Sequence, residues 1–431
     1  MNRDALIRRI EENLADERSW GDAIRVFARE RAFADIHALL RARHDLTGDA
    51  ASFTLRMLVT LLAEGSAPGA CRWLFGRSSP DSAFHGILAF AAGMEAGREF
   101  RLDEASALLR EGAWRATLAQ NTVFRGDTRF RPLLIRMLRD ANLIEPSGYD
   151  AAGVPAGTRL PEITAVAGPL VMTGDTMVVA ACDWRYFERY HERFLASLGR
   201  GCPDQDCLLH LINPGAGTAP ALEALARARP RLWITREDGP PYKAYYASNR
   251  FLIAERVMDR LGCHVVTVDL DGVFGESFPE ALERARSLDV AYLRVPDETT
   301  LTCQISAAFL FARNSAAGRR FLRRNAAYLV RKLATDPIWM VDQAALYRTV
   351  CLTRDDPGRI ADINGLLEAP PGGRIDLRGS LVGDHLLSEE TRQDGRAPFG
   401  VRPLEFTAEL KPLYETGYSV WDWDKPAAGS R

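Results

Sequence analysis

The sequence lacks features that would place it in several specialised classes of protein. Its 55 lysine and arginine residues are balanced by 57 aspartate and glutamate residues, so it has no excess of positive charge for binding nucleic acid. No stretch approaches the roughly 20 apolar residues of a transmembrane helix, and charged residues come too early for a secretory signal. These absences predict a cytoplasmic protein, with peripheral attachment to a membrane left open.

The cysteines also argue against a disulfide framework. There are seven, an odd number, and they are scattered along the chain without a CxxC pair. Cys202 and Cys207 are close in sequence, but no second pair of Cys or His flanks them at zinc-ligand spacing. We therefore expect reduced thiols and no zinc site.

The spacing of hydrophobic residues divides the chain into two regions. A chain of 431 residues is long enough to favour two domains. From residue 1 to about 145, apolar residues recur at steps of three and four, which is typical of amphipathic helices. Residues 85–109 are faintly similar to a tetratricopeptide unit, without a clean repeat period. This pattern predicts an all-α domain over 1–145, a bundle or a solenoid-like helical repeat, with a surface for a possible protein partner.

The second region follows a segment rich in glycine and proline, 146–174, which we interpret as a linker. Strand and helix patterns then alternate, with apolar runs at 177–181, 208–212, 232–235 and 264–268 as the first four strands. This order predicts an α/β domain over 175–390, with parallel strands joined by crossover helices. Ligands of such domains bind at the carboxyl ends of the strands. Residues 391–431 form a predicted tail.

Two acids, Asp269 and Asp271, come directly after the fourth of these strands. A divalent cation would neutralise both carboxylates, and Mg²⁺ and Mn²⁺ prefer oxygen ligands while keeping positions open for phosphate oxygens. A D-x-D pair alone is weak evidence, because acidic turns after strands are common. The residues around the pair determine whether it is interpreted as a metal site.

The stretch 245–271 resembles the metal-binding region of GT-A glycosyltransferases of the retaining type. In those enzymes a helix with tyrosine and arginine precedes a strand that ends in D-x-D, as Tyr245, Tyr246 and Arg250 precede the acid pair here. Further along, Trp339-Met340-Val341-Asp342-Gln343 resembles their W-x-x-D-Q signature. The resemblance covers about 175–390 and implies a Rossmann-like mixed sheet with flanking helices.

The same resemblance implies a role for each matching residue. The metal, Mn²⁺ or Mg²⁺, would be held by Asp269, Asp271 and His385. The nucleotide-sugar would be contacted by Asp183 and Arg250, and the residues closest to the reaction would be Arg250, Asp342 and Gln343. Simpler interpretations stay open at this stage, namely a solvated helix charge for Arg250, helix caps for Asp183 and Asp342, and an ordinary histidine for His385.

The implied reaction moves a sugar from a UDP- or GDP-sugar to a hydroxyl of a glycan, lipid or protein acceptor. Charge develops on the departing diphosphate, and a bound cation acts there as a Lewis acid. The D-Q element favours retention of configuration at the sugar.

A second enzyme class competes for the same acids. The stretch 268–274 also looks like the first motif of haloacid-dehalogenase-type phosphatases, with Asp269 as nucleophile and Asp271 as acid/base. Asp355-Asp356 would be the late acidic pair of that family, and Lys332 its lysine. However, that motif normally ends the first strand of its domain, whereas three strand–helix units precede it here. A third interpretation is a non-enzymatic helical adaptor with a degenerate sugar-nucleotide domain, against which the intact acid pair argues.

Overall fold

The computed structural model describes two compact units of the chain. The described residues are Ile10 and 17–39, 69–78, 85–119, 140, 143–144, 164–166, 172–272, 274, 278–294, 301–335, 337 and 340–363. The first unit, here called the helical unit, contains the described residues up to 144 together with 301–304. The second, here called the sheet unit, contains the others.

The helical unit shows only helical elements in its described part. They include α1 (Glu17–Arg29), α2 (Ala70–Arg77), α3 (His85–Arg98), α4 (Leu102–Ala119) and a 3₁₀ turn at Leu301–Cys303. Among the described helices of the whole chain, none is both long and apolar enough to cross a membrane.

Helices α3 and α4 pack closely because glycines lie where they meet. A Cβ at Gly93 would lie 2.9 Å from Leu109 Cγ, and one at Gly112 would lie 2.8 Å from Phe90 Cγ. The buried Glu95 then ties α3 to α2, since its carboxylate accepts hydrogen bonds from the backbone N–H groups at the start of α2. The hydrogen bonds of Glu95 therefore hold α2 and α3 together.

The sheet unit is built on one mixed sheet of eight strands within the described residues. They are β1 (Thr164–Ala165), β2 (Thr176–Asp183), β3 (Asp206–Ile212), β4 (Leu232–Glu237), β5 (His264–Val268), β6 (Val290–Arg294), β7 (Ile305–Ala312) and β8 (Ile360–Asp362). Their spatial order is β1-β4-β3-β2-β5-β7-β6-β8. Strands β4, β3, β2 and β5 are mutually parallel, while β1 and β7 run the other way.

Helices cover both faces of this sheet. They are α5 (Trp184–Gly201), α6 (Ala219–Ala228), α7 (Lys243–Leu261), α8 (Phe278–Ala285), α9 (Ala316–Thr335) and α10 (Val341–Thr353). Alternate residues of the strands join an apolar core with α5 and α8, such as Val178 and Ala180 with Phe194 and Phe278. Helix α7 packs against β2 and β5 and ends at Gly262, whose φ of 66° suits a left-handed helix terminus.

The predicted α/β class with a mixed sheet is confirmed, and the four predicted strands are β2 to β5. Strands β1, β6 and β8 and helix α8 were not predicted. Strand β1 has only two residues, lies inside the segment interpreted as a linker, and is held by its pairing with β4. The acid pair consequently follows the fifth strand in chain order, although it is the fourth of the parallel set.

The chain reverses direction across the sheet beside β2. From β2 it proceeds to β3 and β4 on one side, and then crosses to β5 on the other side of β2. The crevice at the carboxyl ends of two such strands is the usual ligand site of open α/β sheets. Asp183 ends β2, and Asp269 and Asp271 follow β5, so this crevice is lined by carboxylates.

Candidate active site

The acid pair is presented by a tight turn at the end of β5. Leu270, between the two acids, is 2% exposed and belongs to the apolar core, so it anchors the turn. Asp269 and Asp271 are left partly exposed on either side of it, and the backbone N–H of Gly272 donates to the carbonyl of Asp269 at 3.1 Å. The turn therefore holds two carboxylates at the carboxyl edge of the sheet.

Arg250 of α7 connects this pair to the start of α10. Its guanidinium is buried, with Nη1 3.1 Å from Asp269 Oδ1 and Nη2 3.2 Å from Asp342 Oδ2. Nη1 also donates to the carbonyl of Ala247, and Nη2 to that of Ala307. The solvated-charge interpretation of Arg250 is therefore wrong. Protein oxygens engage both terminal nitrogens of this guanidinium, whereas its buried Nε–H has no hydrogen-bond partner in the structure.

Asp342 is 6% exposed and lies in the first turn of α10. It is not the N-cap, because Met340 holds that position with a left-handed φ of 76°. Burial raises the pKa of Asp342, Arg250 opposes this shift, and the charge of Asp269 adds to it. The next residue, Gln343, has a buried Oε1 without a hydrogen-bond partner in the structure.

A tyrosine that the sequence did not single out lies near the acid pair. Burial together with the charges of Asp271 and Asp269 raises the pKa of the Tyr186 phenol. Asp183 caps α5, since its Oδ1 accepts from the backbone N–H of Tyr186 at 2.8 Å. The capping interpretation of Asp183 is confirmed, and its contact with a nucleoside stays a prediction. Nothing in the sequence pairs α5 with the end of β5, so Tyr186 was missed.

A buried polar network fixes the first turns of α7, the helix that carries Arg250. Glu237 Oε1 accepts from the Tyr245 hydroxyl at 2.7 Å and from Asn249 Nδ2 at 2.5 Å. His210 Nε2 lies 3.5 Å from the same oxygen, at the limit for a hydrogen bond. Burial would raise the pKa of Glu237, but the hydrogen bonds and the nearby His210 lower it below its ordinary value.

The donors present fit a divalent cation that is shared with a substrate. Asp269 and Asp271 offer hard oxygen ligands and leave positions open for phosphate oxygens. Groups of three or more His, Cys, Asp or Glu that could hold a metal do not occur among the described residues. His385 lies outside those residues, as does Trp339. Cys202 and Cys207 are free, and burial raises the pKa of both thiols, which disfavours metal-binding thiolates.

The late acids of the phosphatase interpretation lie far from the acid pair. Asp342 is at the start of α10 and Asp355 and Asp356 follow its end, and thirteen helical residues span about 20 Å. Asp356 bonds to Arg324 at 2.7 Å and precedes β8, which runs parallel to β6 and therefore in the direction of β5. These acids are thus at the opposite edge of the sheet, and Lys332 is buried in α9.

Comparisons of the sequence with known protein families and with curated proteins find no match. Its function must therefore be argued from the site. Within that site Asp269 is held by Arg250 of α7, and Tyr186 of α5 lies near the acid pair. Partly exposed acids beside a buried guanidinium are typical of a ligand site.

Proposed function

We propose that this protein is a metal-dependent glycosyltransferase of the GT-A, Rossmann-like type. Its donor would be a UDP- or GDP-sugar, and its acceptor a hydroxyl of a glycan, lipid or protein. The observation that carries the proposal is the ion-paired bridge through Arg250. That residue pairs with Asp269 of the D-x-D motif and with Asp342 of the D-Q element, so the two motifs of the resemblance meet at one guanidinium.

The position of the acid pair supports a diphosphate as the ligand. It lies at the crevice between β2 and β5, where the chain reverses direction and where nucleotides commonly bind in α/β sheets. When bound, Mn²⁺ or Mg²⁺ would act as a Lewis acid on the departing diphosphate. Asp269 and Asp271 would hold it, while Asp183 offers its carboxylate to the nucleoside from the neighbouring strand.

The start of α10 would form the sugar pocket. Asp342 is fixed there by Arg250, and Gln343 has an amide oxygen that still lacks a donor. A buried acceptor without a partner gains from a ligand hydroxyl, because an unsatisfied polar atom is costly. By the resemblance, this element favours transfer with retention. The remote position of Asp355 and Asp356 disfavours the phosphatase interpretation.

The proposal predicts stabilisation by metal and nucleotide together. Thermal unfolding would be measured with Mn²⁺, with UDP or GDP, and with both, and we expect the largest rise in Tm for the combination. A ligand at one hundred times its Kd stabilises the folded state by about 2.7 kcal/mol. Asp271→Ala should abolish the combined effect. Asp204→Ala should keep it, because that carboxylate is 91% exposed and precedes β3 at the opposite edge of the sheet.

Two other results would redirect the proposal. A chain that responds to no nucleotide diphosphate in the presence of metal is not a transferase of this kind, and the adaptor interpretation would gain. Hydrolysis of a generic phosphomonoester that disappears in Asp269→Asn would support the phosphatase. Incubation with a panel of UDP- and GDP-sugars would then identify the donor by the release of UDP or GDP.

A further inference from the structure

Helix α5 presents a basic and aromatic face to solvent beside the acid pair. Its buried side carries Phe187, Phe194 and Leu198, which join the apolar core of the sheet unit. The helix starts directly after β2, and Tyr186 in its first turn lies near the acid pair. The outer face of α5 therefore begins at the mouth of the crevice.

The side chains of this outer face are segregated by charge. Arg185 and Arg189 are exposed and one helical turn apart, and Arg193 continues the row after another turn. At about 100° per residue, Tyr186 and Tyr190 lie on one side of this row, and the acidic side chains lie on the other. Those acids are Glu188 and Glu192. One flank of the helix is thus basic and aromatic, and the other is acidic.

The first two arginines of the row have no acidic partner within the described part of the chain. The guanidinium of Arg189 instead lies over the ring of Tyr190, 5.2 Å from its centroid, and the ring of Tyr186 packs on that of Tyr190 with centroids 4.5 Å apart. Elsewhere in the sheet unit, an exposed helical arginine such as Arg284 pairs with a carboxylate one turn away. The charges of Arg185 and Arg189 are therefore available to an external anion.

We propose that this face binds the surface of an anionic lipid membrane. It is here called the α5 surface and consists of Arg185, Tyr186, Arg189, Tyr190 and Arg193. Arginines are attracted to anionic headgroups, and tyrosine rings suit the boundary between headgroups and acyl chains because they join an apolar body to a polar hydroxyl. Tyr186 is 37% exposed, so its ring can reach such a boundary. Because the whole chain carries a net charge of -2, the attraction is local to this surface.

This inference goes beyond the proposed function, since lipid binding requires neither metal nor nucleotide. Contact through the α5 surface would place the mouth of the crevice at the membrane. If the proposed function also holds, a lipid-linked acceptor would reach the acid pair without leaving the membrane. The two proposals therefore support each other but can fail separately.

The test is co-sedimentation of the full chain with vesicles of phosphatidylcholine, either alone or mixed with phosphatidylglycerol. We expect binding to the mixed vesicles that weakens as salt is added, and little binding to phosphatidylcholine alone. Arg185→Gln/Arg189→Gln should weaken binding to the mixed vesicles about tenfold or more. Tyr186→Ser should weaken binding at fixed salt but leave its dependence on phosphatidylglycerol. The matched control is Arg260→Gln/Arg323→Gln, which removes two exposed arginines from α7 and α9 and should bind as the unaltered chain does.

Three results would overturn the proposal. They are no binding to the mixed vesicles, equal binding to both kinds of vesicle, and equal losses in the two double glutamine variants. Binding to heparin without binding to vesicles would also overturn it and identify a soluble polyanion as the partner. Arg185→Lys/Arg189→Lys keeps both charges and should keep vesicle binding, which separates loss of charge from loss of fold. Thermal unfolding of each variant, at a temperature similar to that of the unaltered chain, completes the control.

Discussion

Glu237 is a carboxylate that lies out of solvent and yet is stabilised in its charged form. Tyr245 and Asn249 donate hydrogen bonds to it, and its pKa is lower than the ordinary value of 4.5. A group whose pKa is lower in the folded protein contributes stability above its unfolded pKa, and this contribution is lost as the pH falls through the folded pKa. The charge of Glu237 therefore stabilises α7 at neutral pH and ceases to do so in acid.

Replacement of this carboxylate should change stability in a pH-dependent way. We expect Glu237→Gln to lower the free energy of unfolding at pH 7 by about 1.5–3 kcal/mol, the usual contribution of hydrogen bonds to a charged group. The free energy of unfolding of both proteins is measured by urea denaturation across a range of pH. The difference between them should become smaller below pH 4.5. Glu223→Gln is the control, because its ion pair with Arg227 is exposed and should contribute little. A difference that stays constant with pH would contradict the expectation.

The sequence predicted that Arg250 matters but not what it contacts. Its neighbours Asp342 and Ala307 come from α10 and β7, and their approach to α7 depends on sheet pairing that no local pattern records. The family resemblance pointed to Arg250, whereas only the fold shows which protein groups it contacts. Tyr186 had no such guide, because its place after a capping aspartate is common and its nearness to the acid pair depends on β2 and β5 being neighbours.

At the scale of elements, the start of α9 depends on a glycine. A Cβ at Gly318 would lie 2.0 Å from the carbonyl oxygen of Arg313 and 3.1 Å from that of Asp289, so the backbone would have to move. We expect Gly318→Ala to destabilise the sheet unit by about 1–3 kcal/mol or more. Gly199→Ala in α5, where a Cβ meets nothing within 4 Å, should instead stabilise by up to about 1 kcal/mol. The free energy of unfolding of both variants is measured by urea denaturation. Equal changes in Gly318→Ala and Gly199→Ala would refute the steric argument.

The elements that sequence patterns predicted are those with long apolar runs. Strands β2 to β5 are buried on both faces, and their runs of apolar residues identify them. Strand β8 is Ile-Ala-Asp, partly exposed, and is defined by its pairing with β6 rather than by its composition. Short strands of this kind depend on partners far away in sequence, which explains why β1 and β8 were missed.

At the scale of the whole molecule, the chain passes between its two units more than once. Residues 301–304 belong to the helical unit, while β6 before them and β7 after them belong to the sheet unit. Within the helical unit, Asp140 accepts from the backbone N–H of Leu301 at 2.7 Å and from the Thr302 hydroxyl at 2.6 Å. The sequence pattern gave no sign of this arrangement. A protein partner for the helical unit stays a prediction.

Removal of the Asp140 carboxylate should lower the stability of the helical unit. We expect Asp140→Ala to cost about 1.5–3 kcal/mol, because two buried donors lose a charged partner. Amide hydrogen exchange at Leu301 should become faster than in the unaltered chain, as measured by mass spectrometry. Arg110→Ala, an exposed change in α4, should alter stability by no more than about 0.5 kcal/mol. Unchanged exchange at Leu301 in Asp140→Ala would show that this contact does not hold the segment.

The pairing of β2 with β5 also determines when the site can form. Two other strands and three helices separate them along the chain, so their contact closes a long loop. Pairings between distant segments form slowly during folding. A nascent chain that has completed β4 still lacks both acids of the pair, and Asp342 follows only after α9. Under the proposed function, metal and nucleotide would therefore bind only after β5 has paired with β2, and would stabilise a late step of folding.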